Sequence, residues 1–111
     1  SFGNTHLQKS KIAKIDIKKI IHIQNVTSIP LVLHGSSGIS PTLRKQIART
    51  TNVAKFNIGT ELRMVFGSSL RKYIKKDKKI FDRLKLLNPT TVNIKKETKK
   101  IIKNLSFDKN L

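Results

Sequence analysis

Short apolar runs alternate along the chain with longer stretches in which apolar residues recur at helical spacing. A run of apolar residues bounded by turn residues is typical of a buried parallel strand. The pattern therefore predicts three strands, at residues 1–5, 31–33 and 53–58. The first two of these strands end directly before a histidine, at His6 and His34.

Each predicted strand is followed by a segment that predicts a helix. Asp16 and Ser40 are suited to cap helix N-termini, and Pro41 suits the first helical position after Ser40. The second helix is expected to end near residues 51–52, and the third begins after Gly59. Residues 81–83 read as irregular, and a last helix is predicted from residues 88–89 onward. The apolar positions of the four helices are Ile17, Ile20, Ile21 and Val26, then Leu43 and Ile47, then Leu62, Val65, Phe66, Leu70, Tyr73 and Ile74, and finally Ile94, Ile101, Ile102 and Leu105.

Alternating strands and helices predict an α/β fold with a parallel sheet. Three strands alone would leave two long unpaired edges. A complete (β/α)₈ barrel takes about 250 residues, so three βα units and a C-terminal helix fit the last part of a TIM barrel. We expect residues 1–106 to form this partial barrel and residues 107–111 to be a loose tail.

Composition narrows the class of protein. The chain has 111 residues and no cysteine, which excludes a disulfide framework and a thiolate metal site. Because no apolar run approaches about 18 residues, we expect no membrane span, and no signal peptide is visible. A cytoplasmic protein is the resulting expectation. Since the chain begins with Ser1 and its one methionine is Met64, we expect its start to be an internal point of a longer protein.

The formal net charge of +18 admits two interpretations. Most lysines lie between apolar positions at helical spacing, as on the solvated face of a helix, which favours a general compositional bias. A basic nucleic-acid-binding protein is the alternative, although the one Tyr and five Phe do not alternate with basic residues as on a base-stacking surface. Either interpretation predicts salt-sensitive, non-specific adhesion to polyanions.

The two histidines at strand ends are candidate metal ligands. Neighbouring parallel strands lie about 4.8 Å apart, so His6 and His34 would face the same end of the sheet. Catalytic zinc usually takes three protein ligands, of which only two candidates are present. A pair of hydrogen-bonded histidines without a metal is the alternative interpretation. His22 lies within a predicted helix among isoleucines and is expected to be a partly buried or surface residue of that helix.

Two loops have the composition of phosphate-binding loops. Residues 35–38, Gly-Ser-Ser-Gly, supply backbone N–H groups and hydroxyls directly after the predicted second strand. Residues 57–60, Asn-Ile-Gly-Thr, lead into a helix N-terminus, where free N–H groups and the helix dipole favour an anion. TIM barrels often bind phosphate in the loops after their seventh and eighth strands.

These segments resemble a known family. Residues 30–39, PLVLHGSSGI, look like the PLVLHGxSG stretch of class II, metal-dependent ketose-bisphosphate aldolases. Residues 54–63, AKFNIGTELR, are similar to the AKxNxxTELR segment of that family, and residues 3–6 resemble its GxxH metal-ligand motif. Together with Phe81-Asp82 and the final helix, the resemblance covers nearly the whole chain and implies strands six to eight of a TIM barrel.

The resemblance implies a function and a set of residues. The implied reaction is reversible aldol cleavage of fructose 1,6-bisphosphate to dihydroxyacetone phosphate and glyceraldehyde 3-phosphate through a zinc-stabilised enediolate; tagatose bisphosphate is equally compatible with the motifs. The implied zinc ligands are His6 and His34. The full-length family member is expected to be a homo-oligomer. The positions implied to bind the phosphorylated sugar are Leu7, Gly35, Ser36, Ser37, Asn57, Ile58, Gly59 and Thr60.

The chain also departs from the family. Leu7 stands where the family usually has a glycine whose backbone touches the substrate, and the Tyr-Lys that follows is missing. The catalytic aspartate and the other histidine ligand belong to the N-terminal portion of the family. We therefore assign no catalytic residue here and expect the 111 residues alone to be inactive. A non-catalytic truncated remnant remains an alternative to a fragment of an enzyme.

Overall fold

The computed structural model describes residues 15–106. These residues form a mixed α/β structure that is mostly helical, with two parallel strands. A short 3₁₀ helix, Ser36–Gly38, follows the first strand. In chain order, the helices and strands are α1 (Ile17–Val26), β1 (Leu31–Leu33), α2 (Pro41–Thr50), β2 (Val53–Phe56), α3 (Thr60–Lys76) and α4 (Arg83–Leu105).

The two strands and the helix between them form a βαβ unit. β1 and β2 pair in parallel, with Leu31 opposite Val53 and Leu33 opposite Phe56. The predicted strand at 31–33 is confirmed, and β2 ends two residues before the predicted end. After Phe56 the Asn57 N–H still bonds the Leu33 carbonyl at 2.9 Å, and the chain then leaves the sheet. The predicted strand at residues 1–5 and the predicted tail at 107–111 lie outside the described residues.

The starts of α1 and α2 follow the predicted caps. The Asp16 carboxylate accepts a hydrogen bond from the Lys19 N–H at 3.3 Å and starts α1. The Ser40 hydroxyl accepts one from the Leu43 N–H at 3.3 Å, and Pro41 occupies the first turn of α2. Side-chain oxygens satisfy backbone donors that the helix itself leaves unpaired, so these caps fix where each helix begins.

The core lies between the sheet and the helices α1 and α2. Its buried members are Ile20, Leu33, Ile39, Ile47 and Val53. Apolar side chains from five segments, the two strands among them, thus pack together on one side of the sheet, which holds the strand ends in place. The predicted core residue Leu43 is half-buried and packs against this cluster.

Several residues predicted to face the core are exposed. Val26 is 72% exposed at the end of α1, and Ile102 is 51% exposed on α4. Ile21 and Ile74 are also exposed. Helical spacing identifies which residues share a face, but burial also requires a neighbouring element against that face. Within residues 15–106 these four side chains are covered only in part.

The last helix begins earlier than predicted, at Arg83 rather than near Pro89. The Asp82 carboxylate caps it by accepting from the N–H groups of Leu84, at 2.8 Å, and Lys85, at 3.2 Å. Pro89 lies inside the helix, where it forfeits one backbone hydrogen bond. α4 packs along α3, and the Asn93 side chain donates to the Ser69 hydroxyl at 3.0 Å, so tertiary packing offsets the proline.

None of the helices within residues 15–106 is both long enough and apolar enough to cross a membrane.

Candidate functional site

The site is built at the end of the sheet where β1 and β2 finish. His34 follows the last residue of β1, and Asn57 follows the last residue of β2. The parallel pairing brings the two residues together, and the Asn57 side-chain nitrogen lies 3.1 Å from His34 Nδ1. The register of the two strands therefore positions the imidazole.

Asn57 can hold the His34 ring in either tautomer. With its amide nitrogen facing the ring, Nδ1 accepts and Nε2 carries the proton. With the amide turned over, its oxygen accepts from Nδ1–H, and Nε2 then carries no proton. A metal-binding histidine typically donates its other N–H to a neighbouring acceptor in this way. His34 with Asn57 therefore fits the chemistry of a metal ligand.

The loop after β1 is tightly folded. Gly35 has φ 65°, a left-handed conformation that glycine adopts without a steric cost. Ser36 is fully buried, its hydroxyl donates to the Leu33 carbonyl at 2.7 Å, and its N–H donates to the Asn57 carbonyl at 3.2 Å. Both polar groups of Ser36 thus stabilise the loop.

A second link joins this loop to the loop after β2. The Ser37 hydroxyl accepts a hydrogen bond from the Gly59 N–H at 3.1 Å. A hydroxyl that accepts one hydrogen bond can still donate its proton to another group. The two predicted phosphate loops, residues 35–38 and 57–60, are therefore joined to each other at one end of the sheet.

The N-terminus of α3 emerges from this junction. Gly59 is the N-cap and has no side chain to bond the first turn. The N–H groups of Thr60, Glu61 and Leu62 lie within that turn, where no helix carbonyl reaches them. A helix N-terminus of this kind favours an anionic partner.

Two features of the site were not predicted from the sequence. Arg63 leans back over the loop, such that a β-carbon built on Gly59 would lie 3.8 Å from a guanidinium nitrogen of Arg63. Arg44 on α2 forms a two-pronged ion pair with Glu61 in the first turn of α3, with N···O distances of 2.9 and 3.3 Å. Side chains of a helix tilt toward its N-terminus, so the sequence offers a signal that Arg63 lies near the loop before α3. No neighbouring residue in the chain indicates that Arg44 pairs with Glu61.

The other site residues predicted from the sequence lie in several places. Ile58 and Thr60 are half-buried in the loop after β2. His6 and Leu7 lie outside the described residues. His22 is exposed on α1, as expected of a surface residue of that helix. Within residues 15–106, no group of three or more His, Asp and Glu side chains is arranged to hold a metal ion. The predicted zinc pair is thus represented in the described part of the chain by His34 alone.

Comparison with known proteins identifies the family. The model of the family "Fructose-bisphosphate aldolase class-II" matches residues 1–109. The chain belongs to this family. It is 33% identical over 89 residues to a fructose-bisphosphate aldolase of Geobacillus stearothermophilus, an overlap of 80% of this chain and 31% of the relative. It is 34% identical over 103 residues to a fructose-bisphosphate aldolase of Staphylococcus aureus (strain Mu50 / ATCC 700699), covering 93% of this chain and 36% of the relative.

Family membership confirms the resemblance drawn from the motifs. This class II aldolase chain spans about a third of the length of the curated relatives, at 31% and 36% of them. The family implies that the described βαβ unit is a portion of a TIM barrel. In such barrels the carboxyl ends of the strands carry the active site, and His34 and Asn57 lie at that end here.

Proposed function

We propose that this chain forms part of the active site of a class II aldolase that cleaves fructose 1,6-bisphosphate reversibly to dihydroxyacetone phosphate and glyceraldehyde 3-phosphate. The observation that carries the proposal is the meeting of His34, Asn57, Ser37 and the N-terminus of α3 at one end of the parallel sheet. A candidate metal ligand and an anion-receptive loop then lie side by side, as cleavage of a phosphorylated ketose requires.

The proposed phosphate site uses backbone and hydroxyl donors. The N–H groups of the first turn of α3 and the helix dipole favour a phosphate dianion. The Ser37 hydroxyl accepts from Gly59 and has its proton left to donate. In this proposal Gly35, Ser37 and residues 57–60 therefore hold the phosphate of dihydroxyacetone phosphate, while Ser36, whose hydroxyl and N–H are both bonded within the protein, supports the loop.

The proposed metal site uses His34 together with His6. His34 binds through its ring while Asn57 orients it, and the remaining ligand and the catalytic aspartate are expected from the rest of the barrel. A bound zinc ion supplies a Lewis acid that polarises the ketone and stabilises the negative charge that develops as the carbon–carbon bond breaks. The phosphate loop contributes by holding the ketone beside that ion.

We propose fructose rather than tagatose bisphosphate as the substrate, because both relatives described above carry the name fructose-bisphosphate aldolase. The test uses a hybrid enzyme in which this chain replaces the matching segment of the Staphylococcus aureus relative. We expect the purified hybrid to bind zinc and to cleave fructose 1,6-bisphosphate, with tagatose 1,6-bisphosphate assayed in parallel. A folded, zinc-loaded hybrid that cleaves neither sugar would refute the proposed function.

Arg63 is expected to strengthen phosphate binding. Its guanidinium lies over Gly59 at the N-terminus of α3, and the loss of one positive charge near a dianion should weaken binding about three- to tenfold. The measurement is the inhibition constant of inorganic phosphate for the hybrid enzyme, compared between the parent and Arg63→Gln.

Arg71 offers a matched control for this prediction. It leans over Gly67 in the same way, two turns further along α3, so Arg71→Gln removes the same charge away from the loop. We expect Arg71→Gln to leave the inhibition constant within about twofold of the parent, because exposed charges that far apart are screened by salt. Equal effects of the two substitutions would show that Arg63 has no local role.

A further inference from the structure

Arg44 is a buried cation, and its terminal nitrogens bond one partner, Glu61. The Arg44 side chain is 2% exposed, and its two terminal nitrogens bond both carboxylate oxygens of Glu61, at 2.9 and 3.3 Å. The pair joins the first part of α2 to the first turn of α3. It therefore links the helices that follow the two loops of the candidate site.

Stability alone does not explain this arrangement. Removing a guanidinium from water is costly, and the attraction of the partner charge often does no more than offset that cost. Within residues 15–106 the Arg44 Nε, also buried, has no hydrogen-bond acceptor. An apolar pair of similar volume would avoid both costs, which suggests that the charges serve the neighbouring site.

Glu61 creates an electrostatic problem at that site. It directly follows Thr60 in the first turn of α3, where a carboxylate interacts well with the helix dipole. The same carboxylate would repel a phosphate dianion held by the N–H groups of that turn. The N-terminus of α3 can bind an anion beside Glu61 only if the negative charge of Glu61 is balanced by a nearby positive charge.

We propose that Arg44 is a positioning residue that balances the charge of Glu61 and so keeps the N-terminus of α3 receptive to phosphate. The two-pronged pair also fixes the carboxylate in one orientation, because a guanidinium fork matches both of its oxygens. This inference rests on the proposed function, since it assigns Arg44 a role in the phosphate site described there.

The test follows inorganic phosphate binding to the hybrid enzyme by the amide shifts of Gly59, Thr60 and Glu61 in ¹H–¹⁵N spectra. At low ionic strength we expect Arg44→Met to raise the dissociation constant about tenfold, because it leaves an unbalanced charge beside the anion. Lys100→Met is the matched control: it also breaks an ion pair and removes one positive charge, but on the exposed face of α4. We expect it to change the constant less than twofold.

A double variant separates charge from structure. Arg44→Met combined with Glu61→Gln removes both charges, and we expect its dissociation constant to return to within about twofold of the parent. Raising the salt concentration should shrink the Arg44→Met effect, since the repulsion is screened. Glu61→Gln alone leaves Arg44 as an added positive charge and should bind phosphate about threefold more tightly, a readout independent of whether Arg44→Met folds.

The outcomes are distinguishable. Weakened binding in Arg44→Met that is equally weak in the double variant and insensitive to salt would overturn the charge-balancing role. Unchanged binding in Arg44→Met, or weaker binding in Glu61→Gln, would also overturn it, while leaving the phosphate site itself intact. A folded parent hybrid whose amides do not respond to phosphate would refute the phosphate site of the proposed function, and this inference with it.

Discussion

Replacing His34 by alanine in the hybrid enzyme is expected to abolish zinc-dependent cleavage of fructose 1,6-bisphosphate. Loss of a ligand removes the Lewis acid, whose several kcal/mol of charge stabilisation correspond to at least about a thousandfold in kcat. Because His34 is exposed at the end of β1, we expect the melting temperature to change little. The measurements are steady-state cleavage rates and the zinc content of the purified protein.

His22→Ala is the control for this experiment. It removes the same side chain from an exposed position on α1, away from the ends of the strands. We expect its zinc content and its cleavage rate to match the parent within about twofold, as is usual for surface substitutions. Full activity in His34→Ala would disprove the assignment of His34 as a metal ligand.

Truncating Ile47 to alanine is expected to lower the free energy of unfolding of the chain by about 2–5 kcal/mol. Ile47 is completely buried on α2 and packs in the cluster behind β1 and β2. The substitution removes three methyl or methylene groups and leaves a cavity that the surrounding side chains fill only in part. Urea denaturation followed by circular dichroism measures the change, which is a large fraction of the stability of a small domain.

Ile102→Ala provides the comparison. The chemical change is identical, but Ile102 is 51% exposed on α4, so less apolar surface returns to water. We expect a loss of less than about 1 kcal/mol from this variant. Equal losses from both isoleucines would contradict the burial pattern and the position of the core.

Elements with strong local signals were predicted well from the sequence. The start of α1 at Asp16, the start of α2 after Ser40 and the strand Leu31–Leu33 all follow from residues within a few positions of each other. Capping and strand patterning depend on neighbouring residues in the chain, and the sequence contains that information.

The start of α4 was predicted wrongly because two local signals compete. Pro89 ordinarily marks a helix boundary, so the helix was expected to start at residues 88–89, with residues 81–83 irregular. In the structure Asp82 caps the helix through two backbone bonds, and packing of α4 along α3 compensates for the bond lost at Pro89. The balance depends on α3, which the local pattern around Pro89 does not reveal.

The candidate site likewise has features that the sequence predicted and features that only the structure revealed. By itself the sequence determined the family, the placement of His34 directly after a parallel strand and the placement of residues 57–60 before a helix, because strand order and motif spacing are properties of the chain. That Asn57 follows β2 rather than lying within it was decided by the structure. Only the tertiary structure decided that Ser36 turns its hydroxyl inward, that Ser37 bonds Gly59, and that Arg44 pairs with Glu61, 17 positions away. The last two contacts join separate segments, and their geometry is set by how the helices pack around the strands.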